Sequence, residues 1–177
     1  MKLYKTQFNG LFLIKKINHK DNRGYLIENF KQNLFKNKLV FDNIVFSKKN
    51  VLRGLHFQKK NQQSKYISVI KGRILDVCLD LRKNSKTFGK VYSKVLSSKN
   101  NLSLFVPKGF AHGYYTFDDE NIVYYKNSDY RKSLFEKGIK WNDTNLKINW
   151  PSDKPIISSR DKNNMSFKDF LKNFKSL

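Results

Sequence analysis

Acidic residues are scarce in this sequence: 14 Asp and Glu stand against 36 Lys and Arg, which gives a formal charge of +22. A positive potential of this size attracts anions, among them nucleotides, nucleic acids and acidic lipids. The basic residues are spread through Asn- and Ser-rich stretches, with no block of five or more in a row. Such a spread is more typical of a solvated surface than of a nucleic-acid patch, so we expect no nucleic-acid partner.

Cysteine and long apolar runs are almost missing. Cys78 is the only cysteine, so no intramolecular disulfide can form and a reducing, cytoplasmic location is expected. Its strand-like surroundings favour a packed thiol over a nucleophile. The apolar run from Leu11 to Ile14 ends at Lys15, far below the roughly 20 residues of a membrane-spanning helix. The sequence therefore predicts neither a signal peptide nor a membrane partner.

Proline is rare as well, and no linker or repeat of about 20 to 50 residues divides the chain. The three prolines stand at positions 107, 151 and 155. A chain of 177 residues has the size of one domain, and the 15 Phe, 9 Tyr and 2 Trp exceed what a disordered chain carries. We expect a single domain over residues 1–177, with its core at about 8–162.

Secondary-structure signals are mostly those of strands. Short runs rich in β-branched and aromatic residues predict strands at 10–17, 25–30, 42–46, 66–70, 73–80, 90–96, 103–106, 113–117 and 122–125. Turn signals separate them, which indicates an all-β sandwich or barrel. One helix is predicted at about 166–176, capped by Ser166 and packed outside the barrel through Phe167, Phe170, Leu171 and Phe174.

Two of the three histidines lie in unusual segments. His56 ends the run Arg53-Gly54-Leu55-His56, in which regular strand alternation would put Arg53 and His56 on opposite faces. A glycine inside a strand often marks a bulge, which could turn both side chains into one cavity. The alternative interpretation is a core histidine beside a surface arginine.

His112 follows a Pro/Gly turn in the second of these segments. Two histidines on adjacent strands raise a metal hypothesis, because metal-binding barrels combine several His with a carboxylate. A third ligand would have to be His19 or a carboxylate, and neither stands at a recognisable spacing. The sequence therefore predicts no metal. It also has no Gly-rich dinucleotide motif, so no cofactor is expected.

Nine segments together resemble one known family. They are 21–24 with Glu28, 51–58, Lys65, 88–90, 106–113, 125–126, 138–143, 148–151 and 158–161. In this order and spacing, over about residues 8–162, the sequence is similar to the dTDP-4-dehydrorhamnose 3,5-epimerases. The resemblance implies a metal-free, cupin-like jelly roll that binds a nucleotide sugar. It also implies a homodimer with strands exchanged at the interface.

The resemblance further implies the catalytic residues. His56 matches the base, and Asp161 matches the aspartate that orients and charges it. Tyr125 matches the acid on the opposite face of the sugar ring, and Tyr124 takes this role if the alignment slips by one. A lowered pKa of the tyrosine hydroxyl would favour the acid role. The C4 ketone acidifies the protons at C3 and C5, and Lys65 matches the cation that holds the enolate oxygen.

Seven further residues match positions around the substrate. A bidentate guanidinium suits a pyrophosphate, and this role falls to Arg23 and Arg53. The others are Glu28, Asn43, His112, Lys126 and Tyr130. Lys126 and Tyr130 are expected near the nucleotide, and His112 is expected to shape the pocket.

The sequence also departs from the family on the side that reads the nucleotide. Of the family pattern Gln-x-Asn-x-Ser, the segment 41–45 keeps only Asn43, while His19 and Leu26 stand where aromatic residues are common. These changes suit a relative that acts on another nucleotide sugar or inverts one carbon only. A 3,4-ketoisomerase and a non-catalytic nucleic-acid- or sugar-binding barrel are further alternatives. The intact segment 53–56 and Asp161 favour epimerisation.

Overall fold

The computed structural model describes residues 1–174 and 177, and strands dominate it. The strands are β1 (Lys2–Lys5), β2 (Phe12–Lys15), β3 (Asn18–Asp21), β4 (Gly24–Ile27), β5 (Phe41–Lys48), β6 (Leu52–Gln58), β7 (Lys65–Lys71), β8 (Arg73–Asp80), β9 (Val91–Ser97), β10 (Leu102–Val106), β11 (Phe110–Thr116), β12 (Glu120–Asn127) and β13 (Glu136–Gly138). Two short helices follow, α1 (Ser159–Lys162) and α2 (Phe167–Phe174).

The strands form two antiparallel sheets and one separate hairpin. The six-stranded sheet has the order β1-β2-β10-β7-β12-β5, and the five-stranded sheet has the order β13-β6-β11-β8-β9. Strands β3 and β4 pair only with each other. This architecture confirms the predicted all-β, cupin-like jelly roll. Within the described residues, no helix combines the length and apolar character needed to cross a bilayer.

Most predicted strands are present, with shifted ends. Strand β8 has the predicted bounds, whereas β11 begins at Phe110, three residues before the predicted start. Strands β1, β3 and β13 were not predicted, because each has only three or four residues and carries charges. Helix α1 was not predicted either, since one turn is too short to show a helical period.

The main core lies between the two sheets and follows strand alternation. Along β12, Asn121, Val123, Tyr125 and Asn127 are buried and alternate with more exposed residues. Tyr125 joins the core cluster, while Tyr124 packs against a different cluster, on the outer face of the six-stranded sheet. The pleat therefore assigns the two adjacent tyrosines to opposite faces of one sheet.

Helix α2 covers the outer face of the five-stranded sheet, as predicted. Ser166 Oγ accepts a hydrogen bond from the Asp169 N–H at 3.0 Å, which caps the helix. Phe170 is buried and its ring meets that of Phe57 edge-on, with centroids 5.5 Å apart. Leu171, predicted on the packed face, is 39% exposed. The helix ends at Phe174, and the predicted positions 175 and 176 lie outside the described residues.

A buried lysine fixes the two ends of the β3–β4 hairpin to the six-stranded sheet. Lys16, just before β3, donates from Nζ to Ser68 Oγ on β7 at 2.7 Å and to Asn29 Oδ1 at 3.2 Å. Asn29 follows β4 and accepts a second hydrogen bond from Ser68 Oγ at 2.7 Å. Burial lowers the pKa of Lys16 from 10.5 to about 8, because the charged form loses its hydration.

This pKa shift predicts how stability depends on pH. Between pH 8 and pH 10.5 the unfolded chain binds the Lys16 proton more tightly than the folded chain, so this lysine makes stability rise with pH in that window. We expect Lys16→Met to remove that rise. The free energy of unfolding, measured by urea denaturation across the window, should increase less in Lys16→Met than in wild type. The exposed neighbour variant Lys15→Met should keep the wild-type slope, and equal slopes in all three proteins would contradict the prediction.

Candidate active site

A cavity of about 420 Å³ opens between the two sheets, within the size range typical of small-molecule sites. Seven of the eleven predicted site residues line it: Asn43, Arg53, His56, Lys65, His112, Tyr125 and Asp161. Ten others complete the wall: Phe41, Val45, Gln63, Gly113, Tyr114, Asn127, Arg131, Glu136, Ser158 and Arg160. Both sheets and helix α1 contribute, so the cavity forms only when these parts are assembled.

The close approach of two strands explains why Arg53 and His56 share this cavity. The pairing of β6 with β11 shifts register between His112 and Tyr114, opposite Gly54. Gly54 has φ +126°, and a Cβ there would lie 2.5 Å from the Cα of Gly113. The irregularity replaces strict alternation, as a bulge does. It confirms the prediction that Gly54 lets both side chains face one cavity.

His56 and Asp161 form a close pair in the cavity wall. His56 Nε2 lies 2.6 Å from Asp161 Oδ1, while Asp161 Oδ2 accepts a bond from the Gly54 N–H at 3.3 Å. Burial alone would raise the pKa of Asp161, but the hydrogen bonds and charge of His56 outweigh it, so the pKa is lowered. The carboxylate therefore stays ionised and holds a proton on Nε2, which leaves Nδ1 as the ring atom able to accept another.

Helix α1 positions this carboxylate. Ser158 caps the helix, and its Oγ accepts a hydrogen bond from the Asp161 N–H at 3.1 Å. The cap thus fixes the backbone of the residue whose side chain meets His56, although the two lie 105 positions apart in sequence.

Two of the predicted residues that enter the cavity from the opposite, six-stranded sheet are titratable. Burial lowers the pKa of Lys65, while the carboxylates of Glu136 and Asp76 act in the other direction. Burial raises the pKa of the Tyr125 hydroxyl well above its usual value. The expectation that a lowered pKa would suit the acid role is wrong for this tyrosine. Tyr125 instead remains a neutral phenol with a proton to donate.

A second histidine–aspartate pair lies at the cavity wall, where His112 lines the cavity and Asp76 is buried behind it. His112 Nε2 lies 2.8 Å from Asp76 Oδ2, and both side chains are buried. The ring of His112 also meets the ring of Tyr125 edge-on at 5.8 Å. Each of the two histidines thus has its own aspartate. Among the described residues, one group could offer three metal ligands, and it consists of Asp76, Cys78 and His112.

Glu136 organises two arginines that were not predicted as site residues. Its Oε2 accepts hydrogen bonds from Arg131 at 2.7 Å and from Arg160 at 2.8 Å. Burial would raise the pKa of Glu136, but the bonds from the two arginines outweigh it and lower the pKa. One carboxylate therefore holds two guanidinium groups at the cavity wall, and with Arg53 and Lys65 they make it attractive to anions.

Arg53 is positioned by a short polar chain. Its Nε donates to Ser47 Oγ at 3.0 Å, and Ser47 Oγ lies 3.2 Å from the Tyr114 hydroxyl. Ser47, Tyr114 and Asp76 were not predicted as site residues. Each is a polar or charged residue at an inward position of a strand. This pattern indicates a site only once the strand pairing is known.

Four predicted site residues do not line the cavity of their own chain. Arg23, at the tip of the β3–β4 hairpin, pairs with Asp21, and its side chain is 85% exposed. Glu28 forms an ion pair with Lys31 at 2.8 Å, and both side chains are exposed. Lys126 Nζ lies over the ring of Phe30. Tyr130 lies next to the cavity wall, with its ring centroid 5.8 Å from that of the wall residue Phe41.

The fold is shared with one known protein family. The sequence profile of the family described as dTDP-4-dehydrorhamnose 3,5-epimerase matches residues 5–169. The chain belongs to this family. Its members are isomerases of the epimerase class. The dTDP-4-dehydrorhamnose 3,5-epimerase of Methanothermobacter thermautotrophicus is 41% identical over 167 residues, which cover 90% of each chain.

Solved structures of the epimerase family agree with the fold. The crystal structure of dTDP-4-dehydrorhamnose 3,5-epimerase from Elizabethkingia anophelis NUHP1 superimposes with a TM-score of 0.89 at 39% identity, covering 96% of this chain and 97% of that one. The dTDP-6-deoxy-D-glucose-3,5-epimerase of Legionella pneumophila Philadelphia 1 was solved in complex with dTDP-4-keto-L-rhamnose. It gives a TM-score of 0.90 at 34% identity, covering 93% and 92%.

Two departures of this epimerase-family chain from the common sequence pattern lie in the cavity itself. Phe41 and Val45 occupy the Gln and Ser positions of the pattern, and both line the wall. The other two, His19 and Leu26, face each other across the β3–β4 hairpin. Two of the four departures therefore share the cavity with the His56–Asp161 pair, and two lie on the hairpin.

The close approach at Gly54 gives a prediction for this epimerase-family fold. Gly54→Ala adds a Cβ against the backbone of β11, whereas Gly24→Ala, at φ +136°, meets nothing within 4 Å. Both substitutions carry the strain of a positive φ, so Gly24→Ala is a matched control. We expect Gly54→Ala to lose about 1–3 kcal/mol more unfolding free energy than Gly24→Ala, the usual range for overpacking. Equal losses in urea denaturation would show that the strand contact is not limiting.

Proposed function

We propose that this protein converts dTDP-4-dehydro-6-deoxyglucose to dTDP-4-dehydrorhamnose by inverting C3 and C5 beside the C4 ketone. One observation carries the proposal. A histidine–aspartate pair 2.6 Å apart on one wall shares a cavity with a protonated tyrosine from the opposite sheet. Inversion requires a base and a donor on different faces of the sugar ring, and this arrangement supplies both.

In the proposed reaction His56 removes the proton next to the ketone. Asp161 keeps the other ring proton in place and stabilises the imidazolium that forms, so the base becomes stronger without losing its orientation. The electron pair moves to the C4 oxygen, which becomes an enolate. Lys65 lines the same cavity and is the cation proposed to stabilise that negative charge.

Tyr125 is proposed to return a proton from the other side. Its raised pKa favours a phenol that holds its proton until a strongly basic carbon is next to it. The imidazolium of His56 would return its own proton to the original face and regenerate the substrate. Inversion therefore depends on the tyrosine, while exchange depends on the histidine.

The diphosphate is proposed to bind the arginines. Arg53, Arg131 and Arg160 line the cavity, and planar guanidinium groups suit phosphate oxygens. Asn43 and His112 are proposed as further substrate contacts. Lys126 and Tyr130, at the rim beside Phe30 and Phe41, are proposed to face the nucleotide.

Deuterium exchange tests the activity and its base together. Incubated in D₂O with dTDP-4-dehydro-6-deoxyglucose, the wild-type protein should incorporate deuterium at C3 and C5, as read by NMR. His56→Ala and Asp161→Asn should each lower turnover about a hundredfold, the scale of losing a general base or its partner. Exchange at one carbon only would establish a single-centre epimerase, and movement of the ketone to C3 a ketoisomerase. Normal exchange in His56→Ala would assign the base elsewhere.

Replacing the tyrosine should separate exchange from inversion. Tyr125→Phe removes only the donor, so we expect it to wash deuterium into recovered substrate at a near-normal rate while forming inverted product at least about a hundredfold more slowly. Tyr124→Phe is the matched control, because Tyr124 packs on the outer face of the same strand, and it should behave as wild type. Normal epimerisation by Tyr125→Phe would exclude it as the acid.

We also propose that the enzyme works as a cytoplasmic homodimer in which the β3–β4 hairpin reaches the partner's cavity. The single cysteine is buried, in keeping with a reducing compartment. The hairpin pairs with neither sheet and exposes Tyr25 and Leu26. The edge strand β5 exposes Ile44 and Phe46. These apolar surfaces support an interface, and a hairpin crossing it would bring Arg23 and Glu28 to a substrate.

Complementation between two variants tests this exchange. Arg23→Ala damages the hairpin, and His56→Ala damages the cavity. If the hairpin serves the partner, co-expressed chains carrying one substitution each form mixed dimers with one intact site, and activity returns to about a quarter of wild type when half of the dimers are mixed. Each variant alone should remain impaired. No recovery on mixing, with dimers confirmed by light scattering, would argue against the exchange.

A further inference from the structure

Three potential metal ligands meet at one point of the sheet, beside the catalytic cavity. Asp76 and Cys78 stand two residues apart on β8 and point to the same side, and His112 is the direct cross-strand partner of Cys78 on β11. All three are buried. Their donor atoms lie within 4.8 Å of one another. Two antiparallel strands, both inside a sheet, thus hold a carboxylate, a thiol and an imidazole in fixed register.

We propose that Asp76, Cys78 and His112 bind a borderline-soft divalent cation such as Zn²⁺, and that the bound cation inhibits the enzyme. Zinc sites with three protein ligands leave one position for water, and metal–ligand distances of about 2.0–2.3 Å put neighbouring ligand atoms roughly 3–4 Å apart. His112 Nε2 to Asp76 Oδ2 measures 2.8 Å and Cys78 Sγ to Asp76 Oδ1 measures 3.7 Å. The ligands therefore need shifts of about 1 Å or less to enclose the ion.

The charges of the cluster also fit a divalent cation. Burial and the neighbouring Asp76 raise the pKa of the Cys78 thiol well above its usual value, so the thiol is neutral without a metal and a cation has to displace its proton to bind the thiolate. The proton of the His112 ring then resides on Nδ1. One carboxylate and one thiolate then neutralise the two charges of the metal.

The ligand set also decides which cations are accepted. Mg²⁺ and Ca²⁺ take six or more oxygen ligands and avoid sulfur, so this group suits neither. A thiolate and an imidazole favour Zn²⁺ or Co²⁺. We place the fourth position toward the catalytic cavity, because of the three ligands His112 is the one that lines its wall. A metal with its water there would occupy the space of the sugar and prevent His112 from contacting the sugar. This inhibitory effect rests on the proposed function, whereas metal binding does not.

Direct metal titration tests the site. The full chain, stripped with a chelator, should bind one equivalent of Zn²⁺ in competition with a chromophoric chelator. Cys78→Ser keeps a hydroxyl beside Asp76 but removes the thiolate, and it should bind at least tenfold more weakly. Co²⁺ should give a near-ultraviolet thiolate charge-transfer band in wild type and none in Cys78→Ser. Absence of the band in wild type, or equal Zn²⁺ affinity in the two proteins, would overturn the proposal.

Two further variants keep the result clear. Cys78→Ala should behave as Cys78→Ser, which guards against a folding defect of the serine variant, and circular dichroism checks both. His19→Ala removes the exposed histidine of the hairpin and should bind Zn²⁺ as wild type does. In turnover assays, Zn²⁺ should inhibit wild type while the Cys78 variants remain active. If no metal-free protein turns over the substrate, the proposed function is rejected, but the Zn²⁺-binding result still holds. Tight Zn²⁺ binding without inhibition would refute the inhibitory role.

Discussion

The whole site depends on two backbones that come closer than side chains allow. Gly54 on β6 and Gly113 on β11 lie so near each other that a Cβ on either would collide with the backbone opposite. This contact interrupts the regular ladder between the central strands of the five-stranded sheet. Arg53 and His56, three positions apart, then face the same space. A regular strand would have directed one of them to the outer face.

The second constraint is the cost of burying charge. Each carboxylate in or beside the cavity wall has defined partners: Asp161 has His56, Asp76 has His112, and Glu136 has two arginines. Such pairing offsets the desolvation that an isolated buried charge would suffer. The cavity remains positive because its four basic side chains outnumber its two carboxylates, Glu136 and Asp161. An excess of this sign attracts anions.

Sequence reasoning reached the strands and the local motifs more easily than the contacts between them. The glycine in 53–56 predicted the irregular strand, and the helical spacing after Ser166 predicted the packed helix. The family resemblance pointed to Asp161 and Tyr125, which no spacing rule would have joined to His56. Asp76, Arg131 and Glu136 escaped, because their roles arise from partners on other strands. The position of Arg23 outside its own chain's cavity likewise depends on how the hairpin leaves the sheet, which sequence alone does not specify.

The β3–β4 hairpin has a consequence for how specificity can change in this family. Its strands share no ladder with either sheet, and its two ends meet at Lys16 and Asn29, which hold each other and Ser68. Residues 17–28 therefore form a cassette with a fixed base. A different sequence can replace this segment without changing the register of any core strand. If the hairpin contacts the partner's substrate as proposed, those contacts can change while the His56–Asp161 pair stays the same.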